Sequence, residues 1–179
     1  MRDINSVKLS GVIFWSKLDD RQTFTLLRLG LKLDNGASIF CTISNPDTKV
    51  YDSVKPGNKI LLGGAWLDYW EERGETQVKS YGSTVQFFNK ESGVNGLNQF
   101  TILGKVITYE GDTVLVEMIG DKNPKTGQWS RRKAKVKIGD KYKDIIGKKI
   151  LIQGELTSVD VDRKSKLVVE ADYAKINIL

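Results

Sequence analysis

The feature that most constrains this chain is that one pattern occurs in it twice. The run Tyr51-Asp52-Ser53-Val54-Lys55-Pro56-Gly57-Asn58-Lys59-Ile60-Leu61-Leu62-Gly63-Gly64 is answered ninety positions later by Tyr142-Lys143-Asp144-Ile145-Ile146-Gly147-Lys148-Lys149-Ile150-Leu151-Ile152-Gln153-Gly154. Gly57, Ile60, Leu62 and Gly64 thereby match Gly147, Ile150, Ile152 and Gly154. The openings also agree, Leu9-Ser10-Gly11-Val12 against Ile102-Leu103-Gly104-Lys105-Val106, and so do the endings, Val85-Gln86-Phe87 against Ile176-Asn177-Ile178. A repeat of about 80 to 85 residues divides the chain before any other argument can. The stretch from Asn89 to Gly96 is polar and glycine-rich, as a connection between compact units should be. The expected units are therefore residues 1–89 and 98–179, with 90–97 as linker.

Each copy reads as mostly strand. Thr25, Leu27, Leu29, Leu31 and Leu33 fall on one side of an extended segment, and Leu26, Arg28, Gly30 and Lys32 on the other. Asp34-Asn35-Gly36 is a hairpin turn signal, since Asn-Gly tolerates the positive φ that a tight turn requires, and Ile39, Cys41 and Ile43 supply the inward face of the returning strand. Pro46 to Pro56 has room for a short helix with Val50, Tyr51 and Val54 toward the core. Strands are expected at about Lys59 to Trp66 and Gln77 to Phe88, and the second copy repeats the order with a helical turn near Lys141 to Ile146. Five strands with a short helix after the third is the layout of the OB-fold, a small partly open Greek-key barrel. The expected fold is thus all-β, with two tandem five-stranded OB-fold barrels. Periodicity alone also permits another small barrel.

Particular residues favour the OB reading. Val54 to Gly64, followed by Trp70-Glu71, then Glu75-Thr76-Gln77-Val78 leading to Gly82-Ser83-Thr84-Val85-Gln86-Phe87-Phe88, resembles the fourth and fifth strands of the bacterial and phage single-stranded DNA-binding proteins. Lys125-Thr126-Gly127-Gln128-Trp129-Ser130-Arg131 is similar to that family's third-strand segment. The resemblance implies an OB-fold that coats exposed DNA strands without sequence choice, during replication, recombination or repair, by stacking bases on aromatic rings. Familiar members carry one barrel per chain and form tetramers, so two barrels suggest a homodimer or a monomer. The family also carries an acidic tail that recruits replication enzymes; with Ile176-Asn177-Ile178-Leu179 falling within the last expected strand, recruitment through such a tail is not expected.

Gripping a single strand takes cations along the phosphate path and rings for the bases. OB-folds display both on strands two and three and on the loops joining strands one to two and four to five. Lys133, Lys135 and Lys137 alternate with Ala134, Val136 and Ile138, which gives one strand a wholly cationic face, and Trp129, Arg131 and Arg132 come just before it. A solvated outer face or an edge guarded by lysine would read the same way. In the first copy the corresponding face offers Arg28 and Lys32 beside an exposed Phe40, while Tyr69 and Trp70 fall in the expected loop between strands four and five. Trp15, near Lys17 and Arg21 at the first interstrand loop, suits packing or stacking equally. Trp66 shares parity with Ile60 and Leu62 and is read as core. Phe14, Phe24, Phe87, Phe88 and Tyr173 are read as packing, and Asp19-Asp20 and Glu71-Glu72 as solvated loop tips.

Composition narrows the remaining classes. The formal charge of +6 and pI near 9.3 favour a polyanionic partner. Charge is unevenly placed: up to Asn95 there are 12 Lys+Arg against 11 Asp+Glu with 11 aromatics, and beyond it 16 against 11 with 5 aromatics. Stacking is therefore expected from the first unit and phosphate attraction from the second. With no histidine there is no Ser-His or Cys-His pair, no GxxxxGK loop occurs, and Cys41 faces inward, so a binding protein rather than an enzyme is expected. One cysteine gives no disulfide, and no structural metal or cofactor is expected. No apolar run suits a membrane span or a secretory signal, so a cytoplasmic setting in a bacterial or phage-infected cell and no membrane partner are expected. Single-stranded DNA is the expected ligand, with RNA left open by stacking and charge alone. The rival reading is an OB-fold adaptor in a replication or primosome-type assembly, whose aromatics would bury against a partner protein.

Overall fold

Apolar residues at every second position become strands almost throughout the part of the chain that the structure, a computed structural model, describes: residues 2–21, 24–46, 53–88 and 96–179. The strands are β1 (Ile4–Arg21), β2 (Phe24–Lys32), β3 (Ser38–Ser44), β4 (Lys59–Trp70), β5 (Glu75–Tyr81), β6 (Val85–Phe88), β7 (Asn98–Glu110), β8 (Thr113–Lys122), β9 (Trp129–Lys137), β10 (Lys149–Val161) and β11 (Lys164–Ile178). A 3-10 turn at Gly82–Thr84 separates β5 from β6. In the first half β1 pairs with β2, β2 with β3, β3 in parallel with β5, β5 with β4, and β4 again with β1, closing a five-stranded barrel of OB type.

The second half repeats these pairings strand for strand. β7 pairs with β8, β8 with β9, β11 with β10 and β10 with β7, while β9 meets β11 in parallel at the single bridge Lys137↔Glu170. The irregularities repeat too. β1 shifts register between Ile13 and Trp15, and β7 shifts between Val106 and Thr108, shortly beyond Gly11 and Gly104 respectively. At Gly104 the backbone of β8 comes so close that an added Cβ would run into the Glu117 carbonyl oxygen. At Gly154 an added Cβ would run into the Glu170 carbonyl and lie 2.8 Å from the Ala171 Cα. Glycine is required at both points because the neighbouring strand's backbone comes too close for a side chain.

A pair of asparagine brackets, which no sequence pattern signals, fastens the strands further. Asn5 Nδ2 donates to the Leu67 carbonyl at 2.7 Å while the Leu67 N–H donates to Asn5 Oδ1 at 2.9 Å. Asn98 does the same for Leu156, at 2.8 and 2.9 Å. Each amide satisfies both backbone groups of the residue it faces, where the ladder of β4 or β10 would otherwise leave them unpaired.

Expectation and structure differ at several points. Residues 47–52, which hold Val50 and Tyr51 and most of the first expected helix, and 90–95 of the expected linker lie outside the described residues; Val54 does pack against the core. The second expected helix, near Lys141 to Ile146, is an irregular loop, because Gly139, Asp144 and Gly147 take φ of +85°, +52° and +85° and no helix runs through left-handed residues. The fourth strand extends to Trp70, so Tyr69 and Trp70 sit at a strand end, paired with Thr76 and Glu75, rather than in a loop. β1 likewise runs through Asp19 and Asp20.

The halves are not independent beads. β1 and β7 pair antiparallel from Ile4↔Leu103 to Leu9↔Asn98, joining the two into one continuous sheet. The repeat equates Asn5 with Asn98, Val7 with Phe100 and Leu9 with Ile102. The pairs Asn5↔Ile102 and Leu9↔Asn98 are therefore exchanged by a local two-fold, whose centre is Val7↔Phe100. This is the self-complementary arrangement of a symmetric dimer, built within one chain.

Candidate nucleic-acid interface

The local two-fold sends each half's long hairpin onto the other half. The β4–β5 hairpin lies along β9: the Lys135 N–H donates to Thr76 Oγ1 at 3.0 Å, the Lys135 ammonium sits 5.0 Å from the Tyr69 ring centroid, and Lys133 pairs with Glu71. The β10–β11 hairpin lies along β3: the Ser38 N–H donates to Ser158 Oγ at 3.0 Å, and Ser165 Oγ donates to the Ser38 carbonyl at 2.9 Å. Between the two hairpins runs an open groove of about 1580 Å³.

One wall of the groove is aromatic. Phe14, Trp15 and Phe40 are 44%, 39% and 49% exposed, and Phe40 meets the other two rings edge to face at 5.8 and 5.9 Å. The β1 register shift accounts for the cluster: an extra residue between Ile13 and Trp15 breaks the alternation, so Phe14 and Trp15 both face outward. Phe14 then lies across β2 at Gly30, where an added Cβ would come within 2.6 Å of its ring. Phe14, read from the sequence as packing, thus packs on the outer face, over Gly30 and against Phe40, and stays 44% exposed. The bulge is invisible to a strict period of two.

Charged side chains of both signs line the rest. Lys135 and Lys137 come from β9, Arg28 from β2, Lys79 from β5, and Arg163, Lys164 and Lys166 from the β10–β11 hairpin. Several already hold carboxylates: Arg28 lies 3.6 Å from Asp19, Lys137 lies 3.5 Å from Asp112, and Lys79 pairs with Asp68. The Thr113 hydroxyl and Lys137 together hold the Asp112 carboxyl below its ordinary range. Trp70 also lines the groove, its ring under the Arg73 guanidinium at 4.2 Å and its Nε1 donating to Glu72 at 3.3 Å.

Of the residues singled out from sequence, the groove gathers Trp15, Arg28, Phe40, Tyr69, Trp70, Lys135 and Lys137. Lys32 stays outside, donating to Ser38 Oγ at 3.2 Å. Arg132 has the opposite parity from the lysines and stacks 4.2 Å over Trp66, which is buried as expected. Arg131 lies 3.4 Å from Glu117, and Trp129 is 58% exposed near the β8–β9 turn. Arg21 ends β1, and its side chain is outside the described residues, as is that of Phe87. The alternating lysines do face away from Ala134, Val136 and Ile138, yet the face is not purely cationic, because Glu71 of the other half occupies Lys133. Glu71 is thus no idle loop tip. Phe24 and Tyr173 are 38% and 46% exposed, and Phe88 is half-buried. Cys41 is buried, and burial pushes its thiol up to about 12.

The basic hairpin tip was missed, although the repeat itself pointed to it: the loop between strands four and five in the second copy carries Arg163-Lys164-Ser165-Lys166. Asp162 and Arg163 form its two-residue turn with φ of +50° and +61°. An arginine held in the left-handed region, where glycine is preferred, is disfavoured by about 1 kcal/mol or more. Arg163→Gly is expected to raise the stability to urea, but by less than about 1 kcal/mol, because glycine's greater freedom in the unfolded chain offsets part of the relieved strain.

No protein-family model matches the chain, and no curated protein matches it. Among solved structures it is similar over 100% of its length to the wild-type single-stranded DNA binding protein from Thermus aquaticus, with a TM-score of 0.64, 18% identity and 94% of that chain covered. It also aligns, at a TM-score of 0.36, with a Replication Protein A heterotrimer bound to ssDNA (12% identity, 98% of this chain, 49% of that one). A third alignment, again at 0.36, is to a murine DNA binding protein bound with ds DNA (14% identity, 97% and 96%). The first of these likenesses establishes the shared fold.

Proposed function

We propose that the chain binds single-stranded nucleic acid, DNA above all, without sequence choice, along the groove between its halves. The observation that carries this is the sharing of one groove by an exposed aromatic cluster, Phe14, Trp15 and Phe40, and a set of cations from both halves. Rings offer stacking to any base and cations offer pairing to any phosphate, so neither reads sequence.

On this reading the second circuit of strands is a second OB barrel in tandem with the first, and the chain is kin to the bacterial and phage single-stranded DNA-binding proteins. Full-length likeness in fold to the Thermus aquaticus protein supports that kinship. Its place would be wherever replication, recombination or repair exposes single strands, as a binding protein and not an enzyme: the Cys41 thiol is buried and protonated at neutral pH.

Affinity for oligo-dT should fall steeply between about 50 and 200 mM salt, since each phosphate that is neutralised releases counterions. Lys135→Gln with Lys137→Gln should lower the log–log slope by roughly 0.7 for each phosphate left without its lysine, equally for dT and dA oligonucleotides. A flat salt response would instead favour a protein ligand for this groove.

A further inference from the structure

The outward row of β9 does not stop at the groove. Lys133, Lys135 and Lys137 alternate with Ala134 and Val136, which are fully buried, so these lysines point to one side at intervals of about 6.8 Å, and the exposed Arg131 and Trp129 precede them at the same spacing. Lys135 and Lys137 lie inside the groove, and Arg131 and Trp129 continue the row beyond it. Lys133 is the link between the two stretches, and it is occupied. Glu71, at the tip of the first half's β4–β5 hairpin, holds the Lys133 ammonium, and this pairing raises the ammonium's pKa above its ordinary value.

Granting the nucleic-acid reading of the groove, we propose that Glu71 is a built-in competitor: its carboxylate takes on Lys133 the place of a phosphate, so a strand laid along β9 must displace it. The geometry of the tip supports an exchangeable pairing rather than a structural one. The Glu71 side chain is 65% exposed, and an ion pair in that setting is weak. Its neighbours hold the tip without it: Glu72 accepts from Trp70 Nε1, Arg73 covers the Trp70 ring, and Thr76 accepts from the Lys135 backbone. Once Glu71 is displaced, Lys133 joins the lysines of the groove to Arg131, itself 3.4 Å from Glu117, and to Trp129 beyond it. On the other side of the two-fold the β10–β11 hairpin meets β3 through the neutral Ser158 and Ser165 instead.

The test is a double-mutant cycle read by binding of a fluorescent oligo-dT of about 30 nucleotides, long enough for two OB units. Glu71→Gln is expected to tighten binding about two- to fivefold at low salt, the range set by an exposed ion pair. In a Lys133→Gln background the same change should have almost no effect, because the ion pair it relieves is already gone. Unchanged or weaker binding by Glu71→Gln overturns the proposal. So does an equal gain in the Lys133→Gln background, which would mark a general charge effect. If the wild-type protein does not bind oligo-dT at all, the function proposed for the groove fails, and the competitor with it.

Discussion

Gly154→Ala is expected to cost about 3 kcal/mol or more of stability, a large share of the margin that a folded protein holds. The new methyl would run into the Glu170 carbonyl, sit 2.8 Å from the Ala171 Cα and press on Phe100 at 2.9 Å. Backbone on two sides cannot step aside as a flexible side chain would. The comparison that isolates this cause is Gly63→Ala, where an added Cβ meets only the Thr84 carbonyl at 4.0 Å. That variant should stay within about 0.5 kcal/mol of wild type in urea denaturation. Similar losses for the two would mean that strand flexibility, not close approach, is what the glycines provide.

Phe100→Ala should be nearly as damaging, at about 3 to 5 kcal/mol, the usual range for emptying a buried phenylalanine site. Phe100 is fully buried, pairs with Val7 across the join of the halves and with Gly154 within the second, and so ties both cores to the two-fold. Its loss should lower thermal stability in a single transition, since one continuous sheet gives the halves no separate melting. Two well-separated transitions would show that the halves fold independently and that the β1–β7 pairing is secondary. Because Phe100 touches Gly154, the two substitutions together should be less than additive.

How much of this was legible in the sequence depends on which physical signal carried it. Strict alternation revealed the inward faces of β2 and β3, from Leu27 through Ile43, and the outward row of β9, since a period of two is a local property. The spacing of Gly57 and Gly147 and of Gly64 and Gly154 revealed the repeat, and the structure pairs its strands accordingly. Phe14 escapes such a reading because one extra residue in β1 reverses parity beyond it, and a bulge leaves no mark in hydrophobicity. The join of the halves, the asparagine brackets and the Lys133–Glu71 pair were out of reach for another reason. Each depends on contacts between residues 58 to 99 positions apart, which no local pattern encodes. The expected division of labour is partly visible in the groove, where equivalent positions on β3 and β9 carry Phe40 and Lys135. Acidic partners temper it, because Asp19, Asp68, Asp112 and Glu71 all hold cations in or beside the groove.

The central claim, that a single strand lies in this groove, is tested most directly by ultraviolet cross-linking of 5-iodouracil-substituted oligo-dT, followed by peptide mass spectrometry. Stacked rings should react, so adducts are predicted on Trp15 or Phe40 on one side and on Tyr69 or Trp70 on the other, within the same complex. Adducts confined to rings outside the groove, such as Tyr173, or none at saturating oligonucleotide, would contradict it.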